Sequence, residues 1–121
     1  MDVTFAGNLC ADPELRETRK GQAVAELRVA VNRNLQTGTD EWRQETSFYS
    51  VVAWRGLAER ITLCLRKGDR VVVIGRMRQE TWTTETGQTH SRYVVTAEEV
   101  AASVRFEPVH IERAETAGAE A

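Results

Sequence analysis

From Val24 to Asn34 the chain alternates. Leu27, Val29 and Val31 share one parity, while Glu26, Arg28, Ala30 and Asn32 share the other. A period of two is that of a strand with one buried and one wetted face. A second such run spans Glu45–Trp54, and Thr37-Gly38-Thr39-Asp40 between them supplies turn residues. The pair therefore reads as a hairpin with a long polar loop. In its second arm Phe48, Ser50, Val52 and Trp54 share one face if no bulge intervenes. Upstream, Val3 to Leu9 reads as a strand, broken at Pro13 and resumed over Leu15 to Arg19, with a turn at Lys20-Gly21-Gln22. Downstream, Leu57 to Arg66 is the one good helix, with Leu57, Ala58, Ile61 and Leu65 on one side. Arg66 and Lys67 suit its C-terminal end, and Gly68 is a natural stop. Arg70 to Arg78 is an apolar strand that turns basic, and Arg76, Arg78 and Trp82 have one parity. Glu85-Thr86-Gly87-Gln88 makes a turn before a last strand, Ser91 to Thr96.

The order is strand, strand, strand, helix, strand, strand. It predicts an all-β domain, a five-stranded antiparallel OB-fold barrel with one helix between strands 3 and 4. That barrel binds oligonucleotides with its second and third strands and two loops. A length of 121 residues suits one domain. We expect the barrel over residues 1–107 and a short acidic tail over 108–121, where Ala and Glu take over and no core can form. No run of about 18 apolar residues occurs, so no membrane span is expected. The opening Met1-Asp2-Val3-Thr4-Phe5 lacks the basic and apolar regions of a signal peptide.

The tryptophans sharpen this reading. Trp42 precedes Arg43, Trp54 precedes Arg55, and Trp82 follows Arg76-Met77-Arg78 among threonines. Flat rings beside guanidinium groups on polar strands suit a nucleobase on a phosphate backbone. The competing reading makes them amphipathic residues at the edge of the core. Net charge is -2, but it is unevenly placed. From Ala97 onward there are six acidic and two basic residues; subtracting these from 18 and 16 leaves 12 acidic and 14 basic residues before it. The body is mildly cationic, and a local groove matters more than the sum. Cys10 and Cys64 have no CxxC spacing and read as two small buried or half-buried thiols, with an intersubunit bridge through Cys10 as a minor alternative. With His90 and His110 they offer no metal-ligand spacing, so neither metal nor cofactor is expected.

Longer segments resemble a known family. "VTFAGNLCADPELRETRKGQAVAELRVAV" is similar to the opening of bacterial single-stranded DNA-binding proteins. "TSFYSVVAWRGLAERITLCLRKGDRVVVIGRMRQETWTTETGQ" resembles that family's third strand, helix and fourth strand, with Leu57-Ala58-Glu59, Leu65-Arg66-Lys67-Gly68, Val73-Ile74-Gly75-Arg76 and Trp82-Thr83 in register. The resemblance runs from Asp2 to Arg105. It implies sequence-tolerant binding and protection of single-stranded DNA in replication, recombination or repair. It also implies a homo-oligomer, a tetramer by preference with a dimer as the alternative, and a cytoplasmic, nucleoid-associated place.

The resemblance implies stacking positions at Phe48, Trp54 and Trp82. A fourth position, often aromatic in the family, is Leu35 here, and Trp42 in the loop is an auxiliary candidate. Phosphate contacts fall to Arg55, Arg76 and Arg78, which neighbour the aromatics, and then to Arg28, Arg33 and Arg43. The plainer reading of each remaining Arg is a solvated surface charge. Many family members end in an acidic tip closed by Pro-Phe that recruits other enzymes. The run Ala114 to Ala121 has no such tip, so no recruitment by that route is expected. An alternative is a primosome-type OB-fold accessory that binds single strands as a dimer. Catalysis is the third reading. It lacks the clustered carboxylates of a metal nuclease, and Cys64 falls in an apolar helix setting that disfavours a thiolate.

Overall fold

The computed structural model describes residues 1–36, 38 and 40–113. Its elements in chain order are β1 (Asp2–Leu9), β2 (Glu14–Glu17), β3 (Ala23–Gln36), β4 (Trp42–Trp54), α1 (Arg55–Cys64), β5 (Arg70–Thr83) and β6 (Thr89–Ala102). The first expected strand is thus β1 and β2, interrupted around Pro13. With those two counted as one, the barrel has five strands and the helix lies between the third and fourth. In chain order it lies between β4 and β5.

The strands run in the order β1-β5-β6-β4-β3-β2, and β1 also pairs with β3. The added pairing, Asn8 with Ala30 and Leu9 with Val29, closes the barrel. One contact departs from the antiparallel expectation. β4 and β6 run parallel over Ser50–Val52 and Val94–Thr96. No tight turn joins them, since the chain goes through α1 and β5 first, so hairpin geometry does not dictate their direction.

Alternation places the core. Val29, Val51, Val71, Val73 and Val95 are fully buried inside the barrel, with Leu9 and Leu27. Each such side chain contributes about 1.5–3 kcal/mol by leaving water. Helix α1 adds Ala58 and Ile61, and Leu65 follows at its end. The Arg66 guanidinium donates to the carbonyls of Thr62 and Leu65, both at 2.8 Å, which satisfies the open end of the helix. Cys64 corrects the expectation of a buried or half-buried thiol in apolar surroundings. It is exposed, with Sγ 2.8 Å from the Arg60 carbonyl. Seven residues after Leu57, it sits at the margin of the apolar stripe rather than its centre.

Two glycines permit close strand approach. A Cβ on Gly7 would collide with the Ala30 carbonyl oxygen where β1 swings over to β3. A Cβ on Gly75 would collide with the Thr96 carbonyl oxygen. There the register jumps from Ile74–Glu99 to Gly75–Ala97, leaving Glu98 as an extra residue in β6.

The expected tail from Pro108 starts without regular structure over residues 108–113, and those residues are exposed. The run Ala114 to Ala121 lies outside the described residues. No helix among the described residues is long and apolar enough to cross a membrane.

Candidate nucleic-acid interface

Register decides which side chains share a face, because paired residues on neighbouring strands point the same way. β3 and β4 pair without a break from Val24–Trp54 to Gln36–Trp42. Trp42, Phe48 and Trp54 therefore lie on one side of β4, six residues apart. Successive rings stand about 20 Å apart along a strand rising roughly 3.3 Å per residue.

The same face continues across the sheet. Trp54 is opposite Val24, which is opposite Arg16 of β2. Ser50 lies between Arg28 and Val94, and Val94 is opposite Arg78. Thr96 lies between Val52 and Arg76. Farther out on the β5–β6 hairpin, Glu80 is opposite Arg92 and Trp82 opposite His90. Arg76, Arg78 and Trp82 thus share the outer face with Phe48 and Trp54.

The rings are open to solvent. Phe48 is 54% exposed, Trp54 40%, Trp82 46% and Trp42 67%. The Arg28 guanidinium lies 4.7 Å from the Phe48 ring centroid. Trp82 stacks with His90 at 5.7 Å and 30°, and Arg92 lies 6.0 Å from the Trp82 centroid. Arg78, Glu80 and Arg92 border two depressions, one reaching Trp82 and the other Trp54. A third depression joins Trp54 to Arg55.

Arg55 starts the helix with φ 59, a left-handed conformation. Such a conformation costs a non-glycine residue about 1–2 kcal/mol. It turns the chain from the extended Trp54 directly into α1. The helix opens there with no capping side chain and no acidic residue in its first turn, so nothing on the helix itself offsets its positive end beside Trp54.

Carboxylates interleave with the cations. Arg78 meets Glu80 at 3.1 Å, and Arg92 meets the same carboxylate at 3.2 Å. Arg76 lies 3.6 Å from Asp2 and 3.3 Å from Glu98. Arg16 meets Glu26 at 3.2 Å. Arg28 and Arg55 form no ion pair among the described residues. All these pairs are substantially exposed, so each contributes at most about 1 kcal/mol. An incoming phosphate can compete for them.

Three of the expected residues lie elsewhere. Arg33 is opposite Glu45 and Leu35 opposite Arg43, all of the parity that faces away from Phe48 and Trp54. Glu45 is 3.8 Å from Arg33 and 3.7 Å from Arg43. Conversely, Arg92, His90, Glu80 and Arg16 belong to the face and were not singled out from sequence. Folding the hairpin about Glu85–Gln88 would have set Trp82 against His90 and Glu80 against Arg92. Among the described residues no three His, Cys, Asp or Glu side chains are placed to hold a metal ion.

The sequence of this barrel matches known proteins. Residues 1–103 match the single-strand binding protein family. The chain belongs to that family. It is 39% identical over 119 residues to the single-stranded DNA-binding protein of Corynebacterium glutamicum, covering 97% of this chain and 53% of that protein. Against single-stranded DNA-binding protein 2 of Streptomyces coelicolor it is 40% identical over 105 residues, 85% of this chain and 53% of that protein. Against the single-stranded DNA-binding protein of Mycobacterium tuberculosis it is 36% identical over 118 residues, 96% of this chain and 72% of that protein. The chain spans about half the length of the first two of these relatives.

Proposed function

We propose that this chain binds and protects single-stranded DNA with little sequence preference, serving replication, recombination or repair without catalysis. The observation that carries the reading is the shared outer face, on which exposed Phe48, Trp54 and Trp82 alternate with arginines. Bases stack on the three rings, each contact being worth about 1–3 kcal/mol. Every base has a π-face, so the preference for sequence is slight. Arg28, Arg55, Arg76, Arg78 and Arg92 take backbone phosphates and release counterions, which makes affinity fall with salt. Trp42 extends the row of rings along β4. Arg33 and Arg43, on the far side of the β3–β4 ribbon, contribute less. Anisotropy of a labelled oligo(dT) tests the reading: binding that weakens with salt supports it, and no binding at low salt sinks it.

The chain acts as a homo-oligomer, a tetramer in preference to a dimer. Support comes from β1, whose Asp2–Ala6 edge away from β5 has no partner strand among the described residues. Open edges invite pairing with another strand. Phe5 of β1 stacks on Tyr49 at 4.5 Å, a half-buried apolar pair close to that edge. Light scattering distinguishes the states; a monomer at micromolar concentration would remove this part of the proposal.

A further inference from the structure

The middle of the outer face holds an anion of its own. Glu80 is the only acidic side chain bordering the depression shared by Trp82, Arg78 and Arg92 among the described residues. One oxygen lies 3.1 Å from Arg78 Nη1 and the other 3.2 Å from Arg92 Nε. The second of these contacts is itself a hydrogen bond donated by Arg92 Nε. The carboxylate thus spans two guanidiniums in the way a phosphate would. A second depression shows the same three residues extending to Trp54, Val52 and Val94. A strand passing from Trp54 to Trp82 therefore meets Glu80 on its way.

We propose that Glu80 is a built-in competitor of the DNA backbone, holding Arg78 and Arg92 until a phosphate displaces it. This rests on the single-strand binding reading above. The chemistry is anion exchange between oxygens: one carboxylate leaves the guanidiniums and a backbone phosphate takes its place. Two consequences follow. Glu80 halves the charge of the Arg78–Arg92 pair, and Glu17 and Glu26 offset Arg16 and what is left in the depression that reaches Trp54, so isolated anions and short phosphorylated ligands are held weakly. A strand long enough to stack at both rings supplies the free energy for the exchange. Glu80 then sets affinity and the length dependence of binding without itself touching a base.

A simpler role gives the opposite sign. If Glu80 only positioned Arg92 near the Trp82 ring, its loss would weaken binding. The test is Glu80→Gln, titrated with labelled oligo(dT) against the unaltered chain over a range of salt. With the competing charge removed, we expect roughly five- to tenfold tighter binding at low salt. Arg92→Ala should cost more affinity in the Glu80→Gln background than in the unaltered chain, because only there is the guanidinium free beforehand. Thermal melting checks that the fold is kept. Glu80→Thr, a neutral residue suited to strands, repeats the test should Gln disturb the hairpin. Unchanged or weaker binding by both variants, with the unaltered chain binding normally, overturns the competitor role alone. Failure of the unaltered chain to bind oligo(dT) removes the single-strand reading and this inference together.

Discussion

The Arg28 guanidinium lies over the Phe48 ring, 4.7 Å from its centroid. The two come from neighbouring strands, Arg28 opposite Ser50 and Phe48 opposite Ala30, so the contact is diagonal across β3 and β4. Diagonal neighbours are within reach of aromatic and long side chains. The free ring is thus partly covered by a cation that is itself a phosphate ligand in our reading. A base arriving at Phe48 must share the ring with Arg28 or move it. We predict that Arg28→Ala and Phe48→Ala are not additive for oligo(dT) affinity. A double-mutant cycle should give a coupling of at least about 0.5 kcal/mol. Additivity within error would mean that the two act independently.

Trp54 and Trp82 stand on different strands of the same face. Replacing both by Ala should weaken oligo(dT) binding by about 2–6 kcal/mol, the sum of two stacking contacts. Labelled-DNA anisotropy is the suitable readout, since the substitutions remove two of the three tryptophans and leave only Trp42. Retention of the unaltered affinity would remove both rings from the interface.

The arginines should separate by face. Arg78→Ala should lower affinity and flatten the salt dependence by roughly 0.7 in slope, one phosphate on a single strand. Arg33→Ala and Arg43→Ala should do less, because each pairs with Glu45 on the other side of the ribbon. Salt titrations of the three variants make the comparison. Equal losses for all three would indicate that the strand wraps around the β3–β4 arm.

The barrel itself has a weak point at the β6 bulge. Gly75→Ala should destabilise by more than about 2 kcal/mol, because the added methyl meets backbone, which moves less readily than a side chain. Val73→Ala, which empties part of the fully buried core, should cost about 2 kcal/mol. Chemical denaturation checks both. A Gly75→Ala chain as stable as its parent would argue that the bulge relaxes freely.

Much of the fold was legible because burial writes itself into the sequence. Leu27, Val29 and Val31 alternate since one side of β3 faces the core. Leu57, Ala58, Ile61 and Leu65 mark the buried side of α1. Strand ends were read short for the same reason. β3 reaches Gln36, β5 reaches Thr83 and β6 begins at Thr89, where the hairpin arms are largely exposed and polar residues carry no alternation. The parallel contact of β4 with β6 left no local signal, since it depends on closure. Within the site, the shared parity of Phe48 with Trp54 and of Arg76 with Trp82 followed from period two alone. Arg33, Leu35 and Arg43 carry the other parity, which the family resemblance did not weigh. Arg92 and Glu80 become meaningful only in register with each other.

In our reading one solvent-facing surface of this barrel stacks bases and neutralises phosphates. The direct measurement is tryptophan fluorescence during titration with oligo(dT) of several lengths at two salt concentrations. We expect quenching on binding, affinity that rises with length until the strand reaches from Trp54 to Trp82, and a marked loss of affinity at the higher salt. Fluorescence that stays unchanged at saturating oligonucleotide, or an affinity indifferent to salt, would contradict it.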